Sequence, residues 1–163
     1  MHDRCTAEAP RHGNTGHHSP MSDDDHWNPL VPELTVKDLE ASLRFYRAAG
    51  FSVRFRRDDP PFAYLDLGHA QIMLEEEHAG GWNIEALDRP LGRGVNFQIE
   101  VADAGKSFAA LIGAGFAPLR ALKDTWYAVS ETTEEGQREF LFQDPDGFLM
   151  RFAQPLGTRP AAR

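Results

Sequence analysis

The chain has 163 residues, is 41% hydrophobic, carries a formal net charge of -8 and contains one cysteine, Cys5. That size suits one domain with a modest core and tails; the negative charge disfavours nucleic acid as a partner, and a lone cysteine has no mate within the chain for a disulfide. No apolar run reaches membrane-spanning length and the N-terminus lacks the apolar centre of a signal peptide, so no membrane partner is expected and a cytoplasmic location is the default expectation.

In chain order, residues 1–28 are rich in His, Asp, Pro, Gly and Ser without apolar periodicity, which predicts a disordered arm. Five of the seven histidines lie in it, at His2, His12, His17, His18 and His26; without a packed scaffold they hold no catalytic geometry. Order is expected from Pro29, with a domain over 29–154 and a C-terminal tail over 155–163. A strand is predicted from Leu30 to Val36. Asp38 then caps a helix in which Leu39, Leu43 and Tyr46 share a face, and Gly50 stops it. Phe51 to Arg57, Phe62 to Leu67 and Ala70 to Glu76 read as three strands, joined by turns at Asp58-Asp59-Pro60-Pro61 and Gly68-His69. The first module, 29–77, is therefore β-α-β-β-β.

After a linker over 77–93 the plan repeats in 94–154. At a constant offset of 65 residues, Val36, Asp38, Ser42, Ala49, Gly50 and Phe51 coincide with Val101, Asp103, Ser107, Ala114, Gly115 and Phe116. The matches fall on strand end, helix cap, helix stop and strand start, which marks an internal duplication. The second copy carries an insertion between Leu119 and Gln137. It closes on a β-hairpin, Arg138 to Gln154, in which Phe140, Phe142, Phe148, Met150 and Phe152 recur at period two around the turn Asp144-Pro145-Asp146-Gly147.

The segments DLEASLRFY, GVNFQIEVAD and REFLFQDPDGFLMRF resemble the vicinal-oxygen-chelate superfamily, which includes glyoxalase I, extradiol dioxygenases and the bleomycin resistance proteins, over roughly residues 29–154. The resemblance implies an α+β fold of two tandem βαβββ modules, whose curled mixed sheets surround a cup-shaped cavity. It also implies a homodimer in which modules pair across chains. Metal-using members carry their ligands at four positions that correspond here to Val31, Met73, Asn96 and Arg151. Valine has no lone pair, an amide is a weak ligand, a thioether is soft and a guanidinium repels a divalent ion. The expectation is therefore a chain with no metal site and no cofactor. It also has no Gly-rich phosphate loop and no serine in a nucleophile-elbow setting, so no catalytic constellation is expected, and an isomerase or lyase working through carboxylates alone is a third reading.

Strand parity divides the remaining residues. Leu34, Val36, Ile72, Leu74, Phe97, Ile99, Val101, Met150 and Phe152 are expected beneath the helices, and the opposite parity is polar and largely acidic. With aromatics added from the third strand and from the insertion, the expected ligand-binding set is Glu33, Phe62, Tyr64, Met73, Glu75, Asn96, Gln98, Glu100, Trp126 and Arg151. In this reading Arg151 neutralises Glu33, Glu75 or Glu100. Drug-binding relatives have a Trp-Gly element before the final hairpin where this chain has Glu134-Glu135-Gly136-Gln137-Arg138-Glu139. The function expected is metal-independent sequestration of a cationic antibiotic or similar small molecule, as in the bleomycin-resistance type, by a binding protein without catalysis; the alternative is a metal-dependent glyoxalase- or dioxygenase-like enzyme.

Overall fold

The computed structural model describes residues 27–161. The disordered arm expected over 1–28 lies outside the described residues except for Trp27 and Asn28, and both of these are in contact with the domain. Trp27 packs edge-on to Tyr64 at 4.6 Å, and the Asn28 amide donates to Gln71 Oε1 at 2.7 Å.

The elements run β1 (Glu33–Val36), α1 (Leu39–Ala49), β2 (Ser52–Asp58), β3 (Pro61–Leu67), β4 (Ala70–Glu76), β5 (Asn96–Glu100), α2 (Ala104–Gly113), β6 (Pro118–Ala128), β7 (Thr133–Gln143) and β8 (Leu149–Pro160). They form two mixed four-stranded sheets of the same plan, ordered β1-β4-β3-β2 and β5-β8-β7-β6. In each, the first strand pairs in parallel with the last and the other pairs are antiparallel. The two βαβββ modules are thus present, without closure into a barrel.

Both helices begin and end as their caps dictate. Asp38 accepts from the Ala41 amide and Asp103 from the Lys106 amide, each at 2.9 Å, satisfying a first-turn donor that has no partner inside the helix. The duplicated glycines Gly50 and Gly115 both take positive φ, 107° and 88°, a conformation that costs glycine nothing and lets the chain turn out of the helix. The residues assigned to the helix side of the sheets do lie there. Leu34, Val36, Ile72, Leu74, Ile99, Val101, Met150 and Phe152 are buried, and Phe97 packs against the same cluster.

One apolar cluster runs through both modules, because α1 and α2 pack on each other as well as on their own sheets. Phe45 of α1 meets Phe116 edge to face at 5.1 Å. The turn of the final hairpin fastens the modules further. Asp144 Oδ1 accepts from the amides of Asp146, Gly147 and Phe148, while Oδ2 accepts from the Tyr46 hydroxyl at 2.9 Å. Asp146 takes the Lys37 amide on one oxygen and Arg89 Nε of the linker on the other. The two carboxylates therefore tie the second module's turn to the first module and to the linker.

Three differences from the sequence reading stand out. The first strand begins at Glu33, two residues after Val31, and Leu30 is exposed. The insertion is a long β6–β7 hairpin whose strands pair as far out as Ala128 and Glu134. Residues 155–160, set aside in sequence as the start of a tail, continue β8 along β7 out to Thr133. Hairpin and extension support each other: β7 pairs on both sides, which the period-two reading of either segment alone does not reveal.

Candidate functional site

On the helix-free face of the first sheet, β1 to β4 and the start of the linker enclose a hollow of about 420 Å³. Strand register builds it. Parallel pairing sets Glu33 beside Met73, and antiparallel pairing sets Tyr64 beside Met73 and Phe62 beside Glu75, so these side chains rise from one face. Phe55 of β2 stacks over Phe62 and Tyr64 at 5.7 and 5.5 Å. Tyr64 itself is fully buried behind this wall, with its hydroxyl given to Gln71 Oε1 at 2.8 Å.

The charges of this hollow are unequal in availability. Glu75 receives Arg57 on one oxygen at 3.1 Å and faces His78 Nε2 on the other at 3.0 Å. Because the Gly80 amide donates to His78 Nδ1 at 3.2 Å, Nδ1 is the acceptor and the proton of the neutral ring sits on Nε2, aimed at Glu75. Arg57 also lies 4.4 Å over the Phe62 ring. Glu33 makes no hydrogen bond or ion pair among the described residues, and burial raises its carboxyl above the ordinary range, with the charge of Glu75 adding and that of Arg57 opposing. Glu33 is thus the carboxylate of this hollow left for a ligand.

The same face of the second sheet carries a smaller hollow, about 170 Å³, lined by Asn96, Arg120, Tyr127, Glu139, Leu141, Leu149 and Arg151. Here the acid is consumed. Arg151 Nε donates to Glu139 Oε2 at 2.6 Å, and its NH2 group donates to the Tyr127 hydroxyl at 2.9 Å and Gln137 Oε1 at 3.0 Å. Tyr127 in turn donates to Glu139 Oε1 at 2.8 Å. Burial pushes the Glu139 carboxyl up, but the Tyr127 hydrogen bond and the Arg151 hydrogen bond and charge outweigh it and hold the group below its ordinary value. The partner of Arg151 is therefore Glu139, correcting the expectation of Glu33, Glu75 or Glu100. The hairpin register explains why: Leu141 opposes Arg151, so Glu139 lies one same-face step along β7.

Of the ten ligand-binding residues expected from sequence, Glu33, Phe62, Met73 and Glu75 line the first hollow, and Asn96 and Arg151 the second. Tyr64 backs the first. Gln98 is exposed on β5 and lines neither. Glu100 borders a groove behind the sheets, between the end of α1 and the first turns of α2. Trp126 is occupied elsewhere: its ring covers Gly136, where a Cβ would meet it at 2.7 Å, and the Arg159 guanidinium lies 4.0 Å from its centroid. Within one chain the set does not converge on a single cup. Among the residues that sequence reasoning passed over, Phe55, Arg57 and His78 shape the first hollow, and Arg120 and Glu139 the second. Glu139 was legible by counting out from the turn; the placing of His78 by a linker bend had no sequence signal.

Val31, Met73, Asn96 and Arg151, the positions that the sequence resemblance assigns to metal ligands, do not fit a divalent ion. Met73 lines the first hollow, Asn96 and Arg151 the second, and Val31 neither. Arg151, a permanent cation, holds its place through Nε on Glu139 and one terminal NH2 group on Tyr127 and Gln137. Among the described residues no three His, Cys, Asp or Glu side chains are grouped to hold a metal. No helix among them is long and apolar enough to cross a membrane.

Comparison with known proteins agrees with this architecture. The sequence model of the Glyoxalase/Bleomycin resistance protein/Dioxygenase superfamily matches residues 25–152. Among solved structures, the hypothetical protein SA1046 from S. aureus is 22% identical with a TM-score of 0.59, covering 79% of this chain and 95% of that one. TioX from Micromonospora sp. ML1 is 22% identical with a TM-score of 0.58, over 78% and 98% of the two chains. A bleomycin-binding protein complexed with bleomycin is also 22% identical, with a TM-score of 0.51 over the same shares. No curated protein matches the chain. At these identities the structures establish a shared fold.

Proposed function

From the premise that the chain belongs to the glyoxalase/bleomycin resistance protein/dioxygenase superfamily, we propose that it is a metal-independent binding protein that sequesters a small molecule through a cationic group. The carrying observation is Glu33: a partly desolvated carboxylate, unpaired among the described residues, in a hollow walled by Phe55, Phe62 and Met73. A cation placed there gains an ion pair and, against the aromatic walls, cation–π contact. The similarity to a bleomycin-binding protein complexed with bleomycin supports a bulky cationic antibiotic as the type of ligand.

The working unit in this proposal is a homodimer. Trp82 and Ile84, at the mouth of the first hollow and beyond it on the linker, are 95% and 101% exposed, and a second copy covering that rim would enclose the ligand. Sedimentation analysis tests the dimer; a monomer at all concentrations refutes it.

Titration calorimetry with bleomycin tests the ligand class. Glu33→Gln is expected to weaken binding about tenfold, the scale of one charge-assisted hydrogen bond, while Glu100→Gln, outside both hollows, leaves it unchanged. Affinity for the cation should also rise with pH as Glu33 ionises. Equal affinity in wild type and Glu33→Gln removes the carboxylate from the account.

A further inference from the structure

The second hollow differs in sign from the first. With Glu33 and Glu75 against Arg57, the first hollow carries one net negative charge; with Arg120 and Arg151 against Glu139, the second carries one net positive charge. The surplus is localised. Arg151 is committed to Glu139, Tyr127 and Gln137, whereas Arg120 makes no hydrogen bond or ion pair among the described residues. Backbone geometry accounts for its position. The β6–β7 register shifts on both sides of Arg120, between Pro118 and Arg120 and again between Arg120 and Lys123; regular pairing from Pro118–Phe142 would oppose Arg120 to the buried Phe140, and the shift opposes it to Leu141 on the face of the hollow instead. Leu141 and Leu149 flank it with apolar wall, and the Asn96 amide, also without a hydrogen bond, supplies a second donor.

We propose that this hollow is an anion subsite that takes a carboxylate attached to a short apolar body. Arg120 pairs with the carboxylate, Asn96 donates to it, and Leu141 and Leu149 cover the first methylenes. A carboxylate fits the planar fork of the guanidinium, and the hollow has room for little more than such a headgroup and a few carbons. The inference rests on the reading of the chain as a small-molecule-binding protein and extends it: the ligand, or a second ligand, carries a negative end as well as the cationic one assigned to the first hollow.

The test uses two probes of equal length and opposite charge, hexanoate and hexylammonium, titrated into the full chain and followed residue by residue by NMR. Hexanoate is expected to shift the amides of Asn96, Leu141 and Leu149, with an affinity that falls as salt is raised. Arg120→Gln should weaken it about tenfold, and Arg120→Lys should recover part of the loss. Hexylammonium should instead perturb the surroundings of Glu33 and Met73 and be indifferent to Arg120→Gln. Absence of hexanoate shifts in the wild type, or shifts that persist unweakened in Arg120→Gln, overturns the anion subsite. Failure of hexylammonium alone counts against the cationic reading of the first hollow and leaves this one standing.

Discussion

The two modules share one backbone plan and differ in what fills it. In the first, the helix-free face is aromatic and its ion pair, Arg57 with Glu75, sits with the arginine half exposed; in the second, the corresponding face is small, and the Arg151–Glu139 pair has Glu139 only 4% exposed at the side chain. The turns between the last two strands differ in the same way. Nothing lies within 4 Å of a Cβ at Gly68, and the neighbouring His69 carbonyl accepts from the Asn28 side chain, whereas Asp144 to Gly147 is pressed against Pro90 and Leu91 of the linker. Duplication fixed where side chains point, and later substitution decided whether each position became an open surface or a fastened joint.

The turn glycines give the largest expected contrast. Gly147 has φ +100°, and a Cβ there would meet Pro90 Cβ at 2.4 Å and Pro90 Cα at 2.9 Å. Gly147→Ala should therefore cost about 4 kcal/mol, combining left-handed strain with overpacking against backbone. Gly68 has φ +57° with nothing within 4 Å of the added atom, so Gly68→Ala should cost only about 1 kcal/mol. Urea unfolding of both variants checks this; equal losses would mean the second turn is not wedged against the linker.

The pH response of the second turn comes next in size. Burial raises the Asp144 carboxyl from 3.8 to about 6, despite the hydrogen bonds from the Phe148 amide and Tyr46. Between those values the folded chain holds a proton that the unfolded chain releases. The group's contribution is full below about pH 4 and is lost as pH rises through about 6, a fall of about 3 kcal/mol. Asp144→Asn should flatten this slope in unfolding free energies measured across that interval. The first module's turn, Gly68-His69, has no carboxylate in the corresponding place.

Breaking the ion pairs should separate the hollows again. Glu139→Gln leaves Arg151 without a carboxylate in a half-buried site and should cost about 2 kcal/mol, held below the usual value for a buried pair because Tyr127 and Gln137 still accept from the guanidinium. Glu75→Gln should cost under about 1 kcal/mol, since the Arg57 side chain is 51% exposed and water replaces the lost partner. Thermal or urea denaturation resolves the difference. A Glu75→Gln loss equal to that of Glu139→Gln would show that the Arg57–Glu75–His78 group is a fastened joint too.

Much of the fold could be read along the chain because its signals are local. Asp38, Gly50, Asp103 and Gly115 act within one helical turn of themselves, and the period-two runs of β4 and of the final hairpin assign faces without reference to the rest of the molecule. The 65-residue repeat then gave the order of both modules. The site was less legible. Glu33, Met73 and Phe62 meet through strand pairing that parity anticipates, but Trp126 needed knowledge of Gly136 and Arg159, and His78 needed the bend that places Gly80 on its ring.

By itself, then, the sequence determined the two βαβββ units, their caps and the buried parity, all of which follow from residue type and spacing. Only the tertiary structure decided which charges are spent. Whether Glu75, Glu139 or Arg151 is available to a ligand depends on a partner one or two strands away, and a pairing offset of two residues exchanges one partner for another while leaving every local pattern intact.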